Sequence, residues 1–478
     1  MSPVVLSDTE SVDRFYRFIF ADAVARAPYI YGLNLFCAGS GSEKYDSRLE
    51  VIHDRLVALL EVATHLECLH TTAAMDGPIL IAVAKLTTLR ELSVPSESGP
   101  HPEISHKFLT ALRSPLRSLH VLTYPSADRD ISASFLHDQL AHFAPTLEVL
   151  DVGDFTLDIS PPSVTTPFTA MRTLKTGAIC GFYQQDVLLC LFPNLHDIFI
   201  PHDLVTTDPY PVIRQRNKDA QKTCTWWRLD RVVCTALSAY LVAIQCPIRR
   251  MDINREVSFK TRCLAETLRH NSPRQLSFHI VLWDGLRMLD GLFPSEGAGR
   301  LSHLVMLVGL EVHREQTTMV HNNDVFWDPL MDRLIDSMKH LRLMHYYNVY
   351  QASSRKTRPN TVFDGEFVNI AREADLHPAA TRFFDAMPTL QYVFLTTCGH
   401  TYLLAGGSWN ARNKWSSSKA WQVDDVNEKL RWSNGKRGSC VEMSDEAAKV
   451  VMDREELQLL PAKEGFYYVK VAPLHTDL

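Results

Sequence analysis

What the chain lacks narrows its class first. Its 478 residues hold ten cysteines, none spaced C-x-x-C, and no N-x-S/T sequon. The N-terminus has no signal-peptide core, because Asp8, Glu10, Asp13 and Arg14 interrupt it. The longest apolar runs, 79–84 and 304–310, are far shorter than a membrane span. A net charge of −6 is small for this length and gives no electrostatic reason to expect nucleic acid or an anionic membrane as partner. Together these absences point to an intracellular, reducing compartment. Several cysteines sit in apolar runs, Cys190 among them, and are expected to be buried thiols acting as small hydrophobes. Disulfides or a metal site are the alternatives.

Catalytic signatures are also missing. No H-E-x-x-H, G-x-S-x-G or P-loop occurs. Gly435-Lys436 is followed by Arg437 and lacks the upstream glycine, and Gly39-Ser40-Gly41 lacks the third glycine of a dinucleotide loop. Cys398-Gly399-His400 is the nearest thing to a metal pair, and a metal needs more ligands than that. The expectation is a protein that is not an enzyme and carries no cofactor or metal.

What is present is a recurring short pattern. An apolar residue is followed three places on by a second and often by a third two further. Examples are Leu89-Arg90-Glu91-Leu92-Ser93-Val94, Leu147…Leu150-Asp151-Val152 and Leu195…Ile198-Phe199-Ile200. From Leu92 the second anchor moves to 119, 150, 174, 198, 229, 251, 276 and 304, in steps of 22 to 31 residues. Amphipathic segments precede many of these signals. Leu56, Leu59, Leu60 and Ala63 precede Leu66, and Leu237, Tyr240, Leu241 and Ile244 precede Ile248. Helical spacing thus gives way to alternation once per unit. The predicted fold is an α/β leucine-rich-repeat solenoid of helix–strand repeats, with a parallel sheet on its concave face and an irregular C-terminal cap.

Three regions follow. Residues 1–28 are expected to form an N-terminal helical cap, 29–395 degenerate repeats, and 396–478 a cap carrying Trp409, Trp415, Trp421 and Trp432. A small ligand-stacking domain is the alternative for that last region. Residues 203–223 and 352–368 read as polar surface excursions.

The repeat predicts a binding face. Strand side chains alternate, so residues flanking each second anchor point away from the core. Thr173, Asp197, Arg228, Arg250 and Gln275 then form one column. Asp151, Lys175, Phe199, Asp230, Asp252 and Ser277 form the other. A protein partner is expected on Asp197, Phe199, Arg228, Asp230, Arg250 and Asp252, since arginine and aromatic residues anchor interfaces. The bland alternative is sideways pairing that keeps an exposed sheet soluble. The same alternation puts Trp226 in the core and Trp227 outside it.

The segment Val5-Leu6-Ser7-Asp8-Thr9-Glu10-Ser11-Val12-Asp13-Arg14-Phe15-Tyr16-Arg17-Phe18, followed by Arg26-Ala27-Pro28-Tyr29-Ile30-Tyr31-Gly32-Leu33-Asn34-Leu35, resembles fungal F-box/leucine-rich-repeat proteins, especially the basidiomycete expansions. The stretches at 147–152 and 387–393 look like that family too. The resemblance implies a substrate receptor for a cullin-type ubiquitin ligase. The Leu-Pro-x-Glu-like F-box signature is missing from the 478 residues. The adaptor-docking role therefore carries over to no residue here, and a cullin adaptor is a partner only if an F-box lies upstream. The alternatives are a paralogue that binds without the ligase, a free-standing interaction scaffold, and an enzyme using the C-terminal region.

Overall fold

The computed structural model describes residues 2–35, 46–71, 77–95, 108–122, 131–152, 155–156, 166–176, 179–180, 185–200, 209–257, 260–282, 285–294, 299–311, 334, 341–353, 375–405, 408–423 and 440–456. They fall into two compact units, Met1–Ile248 and Arg249–Leu478. The excursion expected at 352–368 lies almost wholly outside the described residues, as does Trp432.

In the first unit, strands and helices alternate along the chain. Apart from Ile131–Ser132, Phe155–Thr156 and Ile179–Cys180, which form a small separate sheet, the strands are Val4–Leu6, Gly32–Leu35, Cys68–Thr71, Glu91–Pro95, Ser118–Leu122, Val149–Val152, Thr173–Thr176, Asp197–Ile200 and Leu229–Cys234. Each runs parallel to the one before it. A parallel return needs a crossover; intervening helices supply it except between Val149–Val152 and Thr173–Thr176, where the only described element is the strand Phe155–Thr156. The anchors Leu33, Leu69, Leu92, Leu119 and Leu150 are fully buried, and Leu174 and Ile198 nearly so. Burying one such leucine contributes roughly 1.5–3 kcal/mol, so the row of anchors is the main cohesive element of the unit. Gly32 is required at the first turn of this ladder. A Cβ there would stand 2.9 Å from the Pro3 Cβ and 3.6 Å from the Cys68 Cβ. Trp226 is buried, its indole N–H donating to the Phe192 carbonyl at 2.8 Å, while Trp227 is 91% exposed, as the alternation predicts.

Part of the expected excursion at 203–223 is in fact a helix, Tyr210–Thr223, and three of its polar residues, Arg214, Asn217 and Gln221, are buried. Asn217 is fully buried and donates to the Leu241 carbonyl at 2.8 Å; Gln221 donates to the Ala243 carbonyl at 3.0 Å and accepts from the Gln245 amide at 2.8 Å. These groups satisfy the carbonyl end of the next helix, Ala236–Val242, which closes on Ala243 at φ +51°. One polar face of the helix thus caps a buried helix terminus, while Gln215, Asp219 and Lys222 on the other are exposed.

The second unit continues the alternation with longer strands: Ile248–Glu256, Gln275–Val281, His303–Glu311, Leu343–Ser353 and Tyr392–Ala405, all parallel. The chain then turns back. Ser408–Val423 pairs antiparallel with Tyr392–Ala405, and Cys440–Glu442 pairs antiparallel with Ser408–Val423. Thr396 thus lies inside a strand. Trp421 is fully buried, so it offers no face to a ligand. The helix Asp445–Arg454, capped by Ser444, closes the described chain.

Cys68, Cys190, Cys224, Cys234, Cys246, Cys263 and Cys440 are free thiols. Cys234 and Cys246 are buried as expected, but Cys190 and Cys224 are exposed, which corrects the reading of Cys190 as a core thiol. The apolar run around Cys190 is one face of the helix Gln185–Leu191, and Cys190 stands on the other. No described helix is long and apolar enough to cross a membrane.

Candidate functional site: the open face of the strands

Four short strands of the first unit show strict alternation of partly buried and buried residues. The buried ones meet the helices. The others form a second surface, which the register arranges in two rows. One row runs Cys68, Glu91, Ser118, Val149, Thr173, Asp197, Arg231; the other runs His70, Ser93, His120, Asp151, Lys175, Phe199. Strands about 4.8 Å apart bring neighbours in each row within interaction range.

The expected columns hold from Val149 to Phe199 and then slip. Asp197 pairs in register with Arg231, and Ile198 with Val232. The second anchor of this strand is therefore Val232, not Leu229. Arg228 lies before the strand and is exposed, and Asp230 stands one place early, its amide donating to the His196 carbonyl at 2.7 Å. Two overlapping apolar pairs, Trp226…Leu229 and Leu229…Val232, satisfy the same spacing, and only the second continues to an apolar residue two places on, Cys234 rather than Arg231. Arg228 and Asp230 therefore leave the column, and Arg231 replaces them.

The middle of this face carries a polar and aromatic cluster. Lys175 Nζ lies 5.5 Å from the centre of the Phe199 ring, and the Arg231 guanidinium lies 5.6 Å from it. Lys175 Nζ stands 3.9 Å from Asp151, and the Thr173 hydroxyl donates to Asp197 at 3.1 Å. Two cations beside one ring hold it in place.

Toward the N-terminal strands the same face turns to metal-ligand chemistry. The ligand atoms of Cys68, His70 and Glu91 all lie within 4.8 Å of one another. His70 Nε2 is 3.0 Å from Glu91 Oε1 but off a hydrogen-bond direction, so it is buried without a hydrogen bond. His120 Nε2 is 3.9 Å from the same oxygen. Burial, and then the charge of Glu91, push the Cys68 thiol up to about 11. The sequence reading missed this cluster because its members are 23 and 29 residues apart. The anchor rule could have found it, since Cys68 and His70 flank Leu69, Glu91 precedes Leu92, and His120 follows Leu119.

Arg250 and Asp252 lie in the second unit. They occupy the expected register, beside Gln275 and Ser277. They do not face solvent: Arg250 is 7% exposed and Asp252 is 1% exposed. The helix Asp445–Arg454 and the residues after it lie over this side of the strands. Ala448 and Val451 pack against Val305, Phe394 and Ala420. Arg250 Nη1 donates to the Glu456 carbonyl, Arg249 meets the Glu456 carboxylate at 2.9 Å, and His303 Nε2 lies 3.2 Å from Glu455. Alternation sets which way a side chain points; whether solvent reaches it depends on what folds back over it.

No family model matches the chain, and no curated protein matches it significantly.

Proposed function

We propose that the chain is a non-enzymatic, intracellular leucine-rich-repeat solenoid that binds a protein partner on the open face of its first unit, centred on Phe199. The observation that carries this reading is the half-buried ring of Phe199 between Lys175 and Arg231, with Asp151 and Asp197 on the neighbouring register positions. A preordered aromatic–arginine cluster lowers the entropy lost on docking. The corresponding face of the second unit is already occupied by Ala448 and Val451, so Arg250 and Asp252 serve that internal contact. The resemblance to F-box/leucine-rich-repeat proteins supports a substrate receptor of a cullin-type ubiquitin ligase; a free-standing scaffold uses the same surface without the ligase. No nucleic acid, membrane or catalytic cofactor enters this reading.

A pull-down with the full chain tests it. Phe199→Ser with Arg231→Ala is expected to lose the specifically captured protein at an unchanged melting temperature. Val212→Ser, at an exposed site on the helix Tyr210–Thr223, is expected to retain it. Undiminished capture by the double variant overturns the site. Co-purification of a cullin adaptor with a form carrying an upstream F-box separates receptor from scaffold.

A further inference from the structure

We propose that Cys68, His70, Glu91 and His120 form a zinc site that ties together three neighbouring strands of the first unit. The four residues come from Cys68–Thr71, Glu91–Pro95 and Ser118–Leu122, which pair in sequence, and all project from the open face. One soft thiolate, two imidazoles and one carboxylate is a donor set that suits Zn(II) better than a harder cation.

The geometry is close to what the ion needs. Bonds of about 2.0–2.3 Å around a tetrahedral centre place ligand atoms roughly 3.5 Å apart. Cys68, His70 and Glu91 already fall within 4.8 Å of one another, and His120 Nε2 lies 3.9 Å from the Glu91 oxygen. Three of the four ligands are thus already gathered, and a turn of the His120 ring, whose centre is 6.3 Å from that of His70, is what completes the set.

Two independent observations point the same way. The first is His70 Nε2: it is buried, 3.0 Å from Glu91 Oε1, and makes no hydrogen bond. A cation between the two supplies the missing interaction. The second is the orientation of His120. Its Nδ1 is 3.2 Å from Asp151 Oδ2. A proton on Nδ1, donated to that carboxylate, leaves Nε2 with its lone pair, 3.9 Å from the Glu91 oxygen. This is the carboxylate–histidine arrangement that positions metal-bound imidazoles. Nε2 now accepts from the Ser118 hydroxyl at 2.8 Å. On loading, that hydroxyl gives up its place, the Cys68 thiol releases its proton to solvent, and the Zn–S bond forms. Four protein ligands leave no open coordination position, so the site is structural. It also ends one row of the open face at a rigid point, two strands from Lys175.

Metal titration of the full chain, stripped with chelator and kept reduced, tests this directly with Co(II) and Zn(II) as probes. The expected result is one Co(II) per chain with a thiolate-to-cobalt charge-transfer band, displaced by Zn(II), and a melting temperature raised by zinc. Cys68→Ser is expected to abolish the band, while Cys190→Ser, at an exposed thiol elsewhere, leaves it intact. Glu91→Gln and His120→Gln are expected to weaken binding at least ~10-fold, and Asp151→Asn by about 10–100-fold through loss of the histidine's orientation. Failure of the wild-type chain to take up stoichiometric metal overturns the proposal. So does a band that survives Cys68→Ser. If Cys68→Ser does not fold, undiminished affinity in the Glu91 and His120 variants overturns it equally.

Discussion

Arg250 and Asp252 form a closed pair inside the second unit: Arg250 Nε lies 2.9 Å from both carboxylate oxygens of Asp252. The two residues sit on the same face of one strand, two places apart, and both are buried. Removing one partner breaks the two-pronged contact, while Arg250 keeps the Glu456 carbonyl and its carboxylate 3.8 Å away. Asp252→Ala is expected to destabilise the second unit by about 1–3 kcal/mol. Replacing both residues together by leucine and methionine is expected to cost far less. Urea unfolding of the three variants checks this, and equal losses in all of them would show that packing, not charge, governs the site.

The C-terminal helix is expected to be a structural part of the second unit. Val451 is buried against the strands, whereas its neighbour Val450 is 64% exposed. Val451→Asp is expected to cost about 2–4 kcal/mol and to raise hydrogen exchange in His303–Glu311. Val450→Asp should stay within about 0.5 kcal/mol of wild type. A similar response to both substitutions counts against the docked helix.

Acid is expected to weaken the second unit through His279. Burial pushes its imidazole down from 6.5 to about 4, and its Nε2 is buried with no hydrogen bond. Between those values the unfolded chain binds a proton that the folded chain refuses. Stability therefore falls as pH drops through this window, by about 2–3 kcal/mol for this residue. His303 acts in the same direction, because burial outweighs the pull of Glu455. His279→Gln is expected to flatten the profile between pH 6.5 and 4 in melting curves; an unchanged slope refutes the assignment. Gly309→Ala probes the same packing. Its new Cβ would stand 2.9 Å from Val281 Cγ2 and 3.4 Å from His279 Nε2, at an expected cost of about 1–3 kcal/mol.

In the first unit, Asn217→Ala is expected to cost about 1–3 kcal/mol, since it leaves the Leu241 carbonyl buried without its donor. Lys222→Ala, at an exposed position of the same helix, should cost almost nothing. Comparable thermal shifts for the two would restore the view of this segment as a solvated loop.

Much of the architecture was legible in the chain. Apolar spacing located Leu69, Leu92, Leu119, Leu150, Leu174 and Ile198 as core anchors, because burial of one strand face imposes a period that composition alone does not hide. The register of Asp151, Lys175 and Phe199 followed from it. It failed at Leu229, which two apolar pairs share, and where the strand register follows Val232 instead. It failed again at 210–223, because Asn217 and Gln221 carry no periodic signal for the carbonyls they satisfy.

The sequence by itself determined the alternation: which residues point into the core and which point away from it. That property is local, set by the two-residue period of an extended strand. Only the tertiary structure decided what becomes of the outward-pointing residues. Around Phe199 they frame a half-buried ring, and at Cys68, His70 and Glu91 they converge across two strands. On Arg250 and Asp252 they vanish beneath Glu456 and the helix before it, more than 200 residues along the chain. Accessibility depends on contacts between residues distant in sequence, and a local period carries no information about them.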